Sequence, residues 1–299
     1  MLYHPQPKKI LITGGSGFLG WHLAVHLSRR HHVAVTYRSR KISIPTCQVF
    51  QLDLERPFTI KNCLTRFNPD IIIHAAAMAN TTACKQNFTA ARNVNVRGAE
   101  RLLRSIVNPG ALFVYISTDL VFDGEHAPYR EKDDAHPIGV YGLSKLEAER
   151  AVRKLWPNHI ILRTALLYGP SNPFGRGSFL QWLDGGLQRS EPLNLFSDEY
   201  RTPAYVGDVV RAVQDLIRRE IHYRTYHIGG PERISRADFG KRLAKMRGFD
   251  DSCIHEVTLE EMNLASLRAR DASLDSSLIQ RTCLLRLTPI DDALKQIFP

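Results

Sequence analysis

Long apolar runs are missing from this 299-residue chain. None approaches the roughly 20 residues that a helix needs to cross a bilayer. The opening MLYHPQPKK has no apolar core of the kind a secretory signal carries, so the chain reads as cytoplasmic. Cysteine is scarce and odd in number: Cys47, Cys63, Cys84, Cys253 and Cys283, with no C-x-x-C pair. That excludes a disulfide scaffold and reads as reduced, packed thiols. The 12 histidines show no metal spacing beside acids. His22 and His26, four apart, read as one helix face, and no metal site is expected. There is no low-complexity tract, internal repeat, flexible linker, basic tail or aromatic RNA-binding motif. The formal charge of +10 is spread over the whole chain. It therefore speaks for anionic small ligands rather than for nucleic acid.

What is present is an alternation. Forty-three per cent of the residues are hydrophobic, enough core for one large domain or two intimately joined ones. Apolar runs suited to strands lie at Lys8–Thr13, His32–Tyr37, Cys47–Leu52, Asp70–His74, Leu112–Ser117 and His159–Arg163. Between them fall helical patterns: Leu19, Leu23, Val25 and Leu27, then Pro57–Phe67, Asn87–Val107 and Ile138–Leu155. Repeated strand–helix units predict an α/β fold, a Rossmann-type doubly wound parallel sheet with right-handed crossovers. Ligands of such sheets bind beyond the carboxyl ends of the strands, where Gly14, Arg38, Asp53, Ala75, Thr118 and Thr164 all fall.

The first strand runs into Gly14-Gly15-Ser16-Gly17-Phe18-Leu19-Gly20 and then a helix. Strand, glycine turn and helix make the setting of a dinucleotide pyrophosphate site, here with G-x-x-G-x-x-G spacing. Gly14 permits the tight turn, Gly17 the approach of a pyrophosphate, and Gly20 close helix–sheet packing. The second strand ends at Arg38, with Arg40 and Lys41 behind it and no acid. An acid there would hold a ribose 2′-hydroxyl, whereas an Arg accommodates a 2′-phosphate, so NADPH is expected over NADH. Asp53 ends the third strand, where an acid can meet an adenine amino group. Ala75, Ala76 and Ala77 are small enough to let the chain lie against the cofactor.

The densest chemistry is Ile116-Ser117-Thr118-Asp119, followed 22 residues later by Tyr141-Gly142-Leu143-Ser144-Lys145. Tyr and Lys four apart share one helix face. An ammonium there stabilises a phenolate, so the Tyr141 pKa is expected below its usual ~10, with help from a cationic cofactor and a dry site. The Thr118 hydroxyl can bond the same substrate oxygen. The three read as a proton-transfer group for a carbonyl or alcohol.

After about residue 165 the rhythm changes. Gly169, Pro170, Pro173, Gly175 and Gly177 mark an irregular loop. Then come a helix at Phe179–Gln188, a short strand at Leu193–Phe196, a helix at Val206–Arg219 and a strand at Thr225–Ile228. Ser235 caps a further helix, with Asp238 at its third position. The expected division is a cofactor domain over 1–168, to which 203–228 returns, and a smaller substrate-binding part over 169–202 and 229–299.

These residues resemble the extended short-chain dehydrogenase/reductases, and within them the dTDP-4-dehydrorhamnose reductase group. That group includes the regulatory beta subunit of methionine adenosyltransferase. The resemblance covers essentially the whole chain. It is carried by Ser117–Gly124, Pro128-Tyr129-Arg130-Glu131, Pro137, Tyr141–Lys145, Arg163-Thr164 with Tyr168-Gly169, Arg201-Thr202-Pro203 and Arg268–Asp275. It implies NADPH-dependent reduction of a nucleotide-linked 4-keto sugar, with hydride going to C4 and a proton coming from Tyr141. Lys145 would lower the Tyr pKa and bond the nicotinamide ribose, and Thr118 would orient the carbonyl. Cofactor contacts implied beyond Gly14, Gly17, Gly20, Arg38, Asp53 and the three alanines are Phe18, Leu19, Leu54, Asn95, Ser117, Lys145 and Arg163. Implied substrate contacts are Asp119 and Asp123 toward the sugar, and Arg201, with Arg268 or Arg270, toward the nucleotide diphosphate. A homodimer stays open, and NADH remains the lesser cofactor.

Three positions depart from the group. Leu120 stands where Tyr is common, Gly139 replaces an Asn, and Ala269 replaces a Pro. Leu120 cannot protonate anything, which speaks against sugar dehydration. Two alternatives remain: a nucleotide-sugar 4-epimerase, which uses the same Tyr and Lys, and a non-catalytic NADP-binding regulatory subunit.

Overall fold

Seven strands make the main sheet: β1 (Lys9–Thr13), β2 (His32–Tyr37), β3 (Gln48–Gln51), β4 (Ile71–His74), β5 (Leu112–Thr118), β6 (His159–Thr164) and β7 (Arg224–Ile228). The computed structural model describes residues 6–174 and 177–299. Gly175, read above as part of an irregular loop, and the opening Met1–Pro5 lie outside the described residues. The strand order is β7-β6-β5-β4-β1-β2-β3, and every neighbouring pair is parallel. The order reverses between β1 and β4, and a doubly wound sheet opens its ligand crevice at such a switch point.

Apolar residues on both faces of the strands explain the two helical layers. Ile10 and Ile12 of β1 point to one side, with Leu23, Leu27, Val209 and Val213. Leu11, between them, points to the other, with Ile60, Leu64, Leu102 and Phe113. A strand's alternation thus feeds both cores, which is why the sequence shows continuous apolar runs.

One long helix expected at Asn87–Val107 is instead Phe88–Arg92, a π-helical turn at Asn93–Arg97, and Gly98–Arg104. A separate helix, Thr81–Gln86, precedes it. Asn80 Oδ1 accepts from Ala83 N at 2.8 Å, and Asn87 Oδ1 from Ala90 N at 2.9 Å. Two asparagine N-caps seven residues apart were the signal for two starts.

Beyond the sheet, Leu193–Phe196 pairs in parallel with Ile254–Val257. Helices Phe179–Gln188, Arg236–Arg247 and Ile290–Ile297 cover this pair and enclose a separate core of Leu183, Leu195, Phe239, Leu243 and Leu294. Ser235 caps as expected, its Oγ accepting from Asp238 N at 3.0 Å. No helix among the described residues is long and apolar enough to cross a membrane.

Candidate active site

The glycine turn is shaped by contacts that no side chain could share. Gly14 has φ +75°, and a Cβ there would lie 2.9 Å from the Ala76 backbone. A Cβ on Gly20 would lie 2.2 Å from the Gly14 carbonyl oxygen. Gly17 N donates to that carbonyl at 2.8 Å and caps the helix Phe18–Leu27, whose first turn has no side-chain cap. Its N–H groups and partial positive charge therefore stay available to an anion.

Under the turn, Thr13 Oγ1 bonds His74 Nδ1 at 2.7 Å and accepts from Ala76 N at 3.2 Å. Burial, with a smaller push from Lys145, pulls the His74 pKa down to about 3, so the ring is neutral. His74 thus joins the β1 and β4 ends as an internal fastener, a role not read from the sequence. Ala75, Ala77 and Leu19 line a cavity of about 630 Å³ beyond the strand ends.

Toward the adenosine side the expected residues are more exposed. Arg38 is exposed at the end of β2, and its carbonyl accepts from Gln51 Nε2 at 3.2 Å. Asp53 Oδ1 accepts from Glu55 N at 3.0 Å, while Leu54 is buried against Gly98. Phe18 is half-buried, with its ring edge-on to His22 at 5.0 Å.

Thr118, Tyr141 and Lys145 meet in the cavity. Thr118 ends β5, and its Oγ1 donates to Asp119 Oδ1 at 3.1 Å and accepts from Leu120 N at 3.2 Å. Helix Val140–Leu155 brings the other two. It packs on the turn after β5 so closely that a Cβ on Gly142 would lie 1.9 Å from Leu120 O.

Lys145 is buried, its Nζ donating to Ile116 O at 2.6 Å and lying 4.0 Å above the Tyr115 ring. Burial pulls its pKa down to about 7, and Glu149 one turn along pushes the other way. The expected lowering of the Tyr141 pKa is absent. Burial first, then the Asp119 charge, hold the phenol above its ordinary value, with Thr118 acting in the opposite direction. Lys145 does not offset them, since its Nζ is directed at the Ile116 carbonyl.

Two expected cofactor contacts sit behind the cavity instead. Asn95 is 1% exposed. Its Oδ1 accepts from Met78 N at 2.8 Å, and its Nδ2 donates to Met78 O at 3.1 Å and Ser144 Oγ at 2.9 Å. It pins the π-helical turn to the Tyr141 helix, a common use of such bulges near functional sites. Arg163 is committed to Glu149 through Nε at 2.9 Å and Nη2 at 2.8 Å. Ser117 lines the cavity, but its Oγ donates to the same Glu149 at 2.6 Å.

Asp123 also differs from expectation: its Oδ1 accepts from Tyr129 OH at 2.5 Å and Glu125 N at 3.1 Å, which shapes a turn. Arg270 is exposed.

The opposite wall carries a buried ion cluster. Asp119 lies 3.4 Å from Arg201 Nε. Arg201 Nη2 donates to Glu199 at 2.8 Å, and Glu199, 0% exposed, also accepts from Arg236 and Arg268. The surrounding guanidiniums outweigh burial and bring the Glu199 pKa down to about 2. Asp119 is pushed up instead, by burial, against the pull of Arg201. Arg201 and Arg268 were expected here; Glu199 and Arg236 were not, since nothing local in the sequence separates them from surface charges.

Comparison with known proteins agrees with this geometry. The model of the RmlD substrate binding domain matches residues 8–299. The probable low-salt glycan biosynthesis reductase Agl14 of Haloferax volcanii is 29% identical, over 90% of each chain. Methionine adenosyltransferase 2 subunit beta of Bos taurus is 27% identical, over 97% of this chain and 86% of its own. The crystal structure of dTDP-4-dehydrorhamnose reductase from Bacillus anthracis in complex with NADP superposes with a TM-score of 0.85, at 25% identity, over 98% of this chain and 99% of that one. From the glycine turn to the last helix, then, the chain belongs to the RmlD substrate-binding domain family, in the dTDP-4-dehydrorhamnose reductase-like group of the extended short-chain dehydrogenase/reductases.

Proposed function

We propose that the protein is an NADPH-dependent reductase of a nucleotide-linked 4-keto sugar. The observation that carries the reading is the meeting of Thr118, Tyr141 and Lys145 in one cavity beside the glycine turn. The turn fits a dinucleotide: Gly14 and Gly20 let the turn close on its own backbone where a Cβ would clash, and the helix it starts offers free N–H groups. NADPH, when bound, supplies the hydride that reaches C4. Tyr141 gives its proton to the oxygen at C4, and a phenol held above its ordinary pKa arrives protonated. Thr118 orients that oxygen. Lys145 would hold the nicotinamide ribose and steady the phenolate left behind. Residues 169–202 and 229–299 carry the sugar and nucleotide, and the rest carries the cofactor. Exposed Arg38, with no acid at the end of β2, supports NADPH over NADH.

The test is NADPH oxidation with dTDP-4-dehydro-6-deoxy-L-mannose. Tyr141→Phe is expected to leave NADPH affinity near normal and to cut turnover by roughly 10²–10⁴. Near-wild-type turnover in that variant would remove Tyr141 as proton donor. A second reading, a non-catalytic NADP-binding regulator, is favoured by the match to the adenosyltransferase subunit over 97% of this chain. Its mark would be tight NADPH binding without oxidation and a stoichiometric enzyme partner in a pull-down.

A further inference from the structure

Counting donors separates the three guanidiniums around Glu199. Arg201 has every nitrogen committed: Nη1 to the carbonyls of Tyr200 and Ala269, Nη2 to Glu199, and Nε facing Asp119. Among the described residues, Arg236 commits only Nε, to Glu199 Oε2 at 2.8 Å. Among the same residues, Arg268 commits only Nη2, to both Glu199 oxygens at 2.9 Å, and its buried Nε meets no partner. A guanidinium carries five N–H donors, so Arg236 and Arg268 both keep a free edge.

Both side chains line the cavity. Their planes are fixed from two sides. Glu199 holds one edge of each, and an aromatic ring lies under each face: Phe179 at 4.7 Å for Arg236 and Phe196 at 5.1 Å for Arg268. Stacking of this kind leaves little side-chain freedom to lose on binding. Charge points the same way. Among the described residues, Arg201, Arg236 and Arg268 face only two carboxylates, Glu199 and Asp119, so one positive charge is left toward the cavity. Lys85 lines the same space.

We propose that Glu199 is a positioning residue that presents Arg236 and Arg268 as a paired anion-binding wall, and that these two, not Arg201, take the diphosphate of a nucleoside diphosphate. The proposal rests on the nucleotide-linked substrate proposed above. Bidentate pairing of planar guanidiniums with phosphate oxygens supplies the recognition. Arg236 is the specificity-determining member: without it, a single free edge at Arg268 would meet the diphosphate.

The test is calorimetric titration of the full chain with dTDP at saturating NADP⁺. Arg236→Met and Arg268→Met are each expected to weaken dTDP by roughly 10- to 100-fold, the loss typical of a charge-assisted hydrogen bond, with NADP⁺ affinity unchanged. Arg236→Lys should recover only part, because an ammonium lacks the fork. Glu199→Gln gives a test of sign. If Glu199 merely neutralised charge, its removal would tighten dTDP; a positioning role predicts weaker binding.

Unchanged dTDP affinity in both methionine variants overturns the wall, and so does a wild-type protein that binds no dTDP. Tighter or unchanged binding in Glu199→Gln overturns the positioning role. Should that buried variant not fold, Arg236→Met and Arg236→Lys still decide, since Arg236 lies at the cavity surface. Arg236-dependent dTDP binding with no NADPH oxidation on any 4-keto sugar would sink the reductase reading and leave the wall standing.

Discussion

Two buried glutamates, each embraced by arginines, are built alike and end differently. Glu149 lies behind the proton-transfer helix and bonds Arg163, Arg153 and Ser117. Glu199 lies on the far wall and bonds Arg201, Arg236 and Arg268. Around Glu149 the donors close on the carboxylate from both sheet and helix, with no free edge in the cavity. Around Glu199 two of the three guanidiniums keep free donors that face the cavity. The same ion-pair chemistry therefore serves as a clamp in one place and as an open receptor in the other. The deciding factor is whether the cluster's charge and donors are exhausted within the protein.

The largest expected effect falls on the closed cluster. Arg163→Met strips the bidentate partner from a carboxylate with no access to water, and should cost about 3–5 kcal/mol in denaturant unfolding. A loss under about 1 kcal/mol would show that Arg153 and Ser117 suffice and that the two clusters are not different in kind.

Next is the acid limb of Glu199. Its folded pKa, about 2, lies below its unfolded value, so the stability it contributes is present above the ordinary carboxyl range and is lost as pH falls toward about 2. Melting temperature measured from pH 5 down to pH 2 should fall less steeply in Glu199→Gln than in wild type, by an amount worth roughly 3 kcal/mol over the window. Parallel curves would mean that the carboxylate is not the linked group.

Lys145 stands one turn from Glu149 and tests how far the closed cluster reaches. Its folded pKa of about 7 lies below its unfolded value, so the unfolded chain holds more protons between the two. Stability therefore rises with pH across that window. Lys145→Met should be the more stable protein at pH 6, by roughly 1–3 kcal/mol, with the gap narrowing toward pH 10. A constant gap would place its origin in packing.

The smallest change belongs to the open cluster. Arg236→Met leaves Glu199 with two guanidiniums and should cost roughly 1–2 kcal/mol, less than Arg163→Met, while dTDP affinity falls. A loss comparable to that of Arg163→Met would make Arg236 a structural residue.

The parts of the site that were legible in the sequence depend on neighbours a few residues apart. Gly14, Gly17 and Gly20 satisfy constraints of one turn and the helix it starts. Tyr141 and Lys145 share a helix face by spacing alone. Strand runs were readable because a sheet covered on both sides demands continuous apolar residues, and ends such as β2 at Tyr37 were met to the residue. Asn95 and Arg163 were placed in cofactor contact, yet their polar atoms are consumed by partners 17 and 14 residues away, which spacing does not reveal.

By itself, then, the sequence determined the alternation of strand and helix, the glycine turn and the Tyr–Lys pair. Each follows from backbone sterics or helical periodicity within a single segment. Only the tertiary structure decided which charged residues lose water and which partners they find. Asp119, Glu199 with Arg201, Arg236 and Arg268 come from four separate segments and become one cluster only when the second half folds against the sheet ends. Burial sets the charge balance there, and it also turned the expected acidic Tyr141 into a phenol that holds its proton.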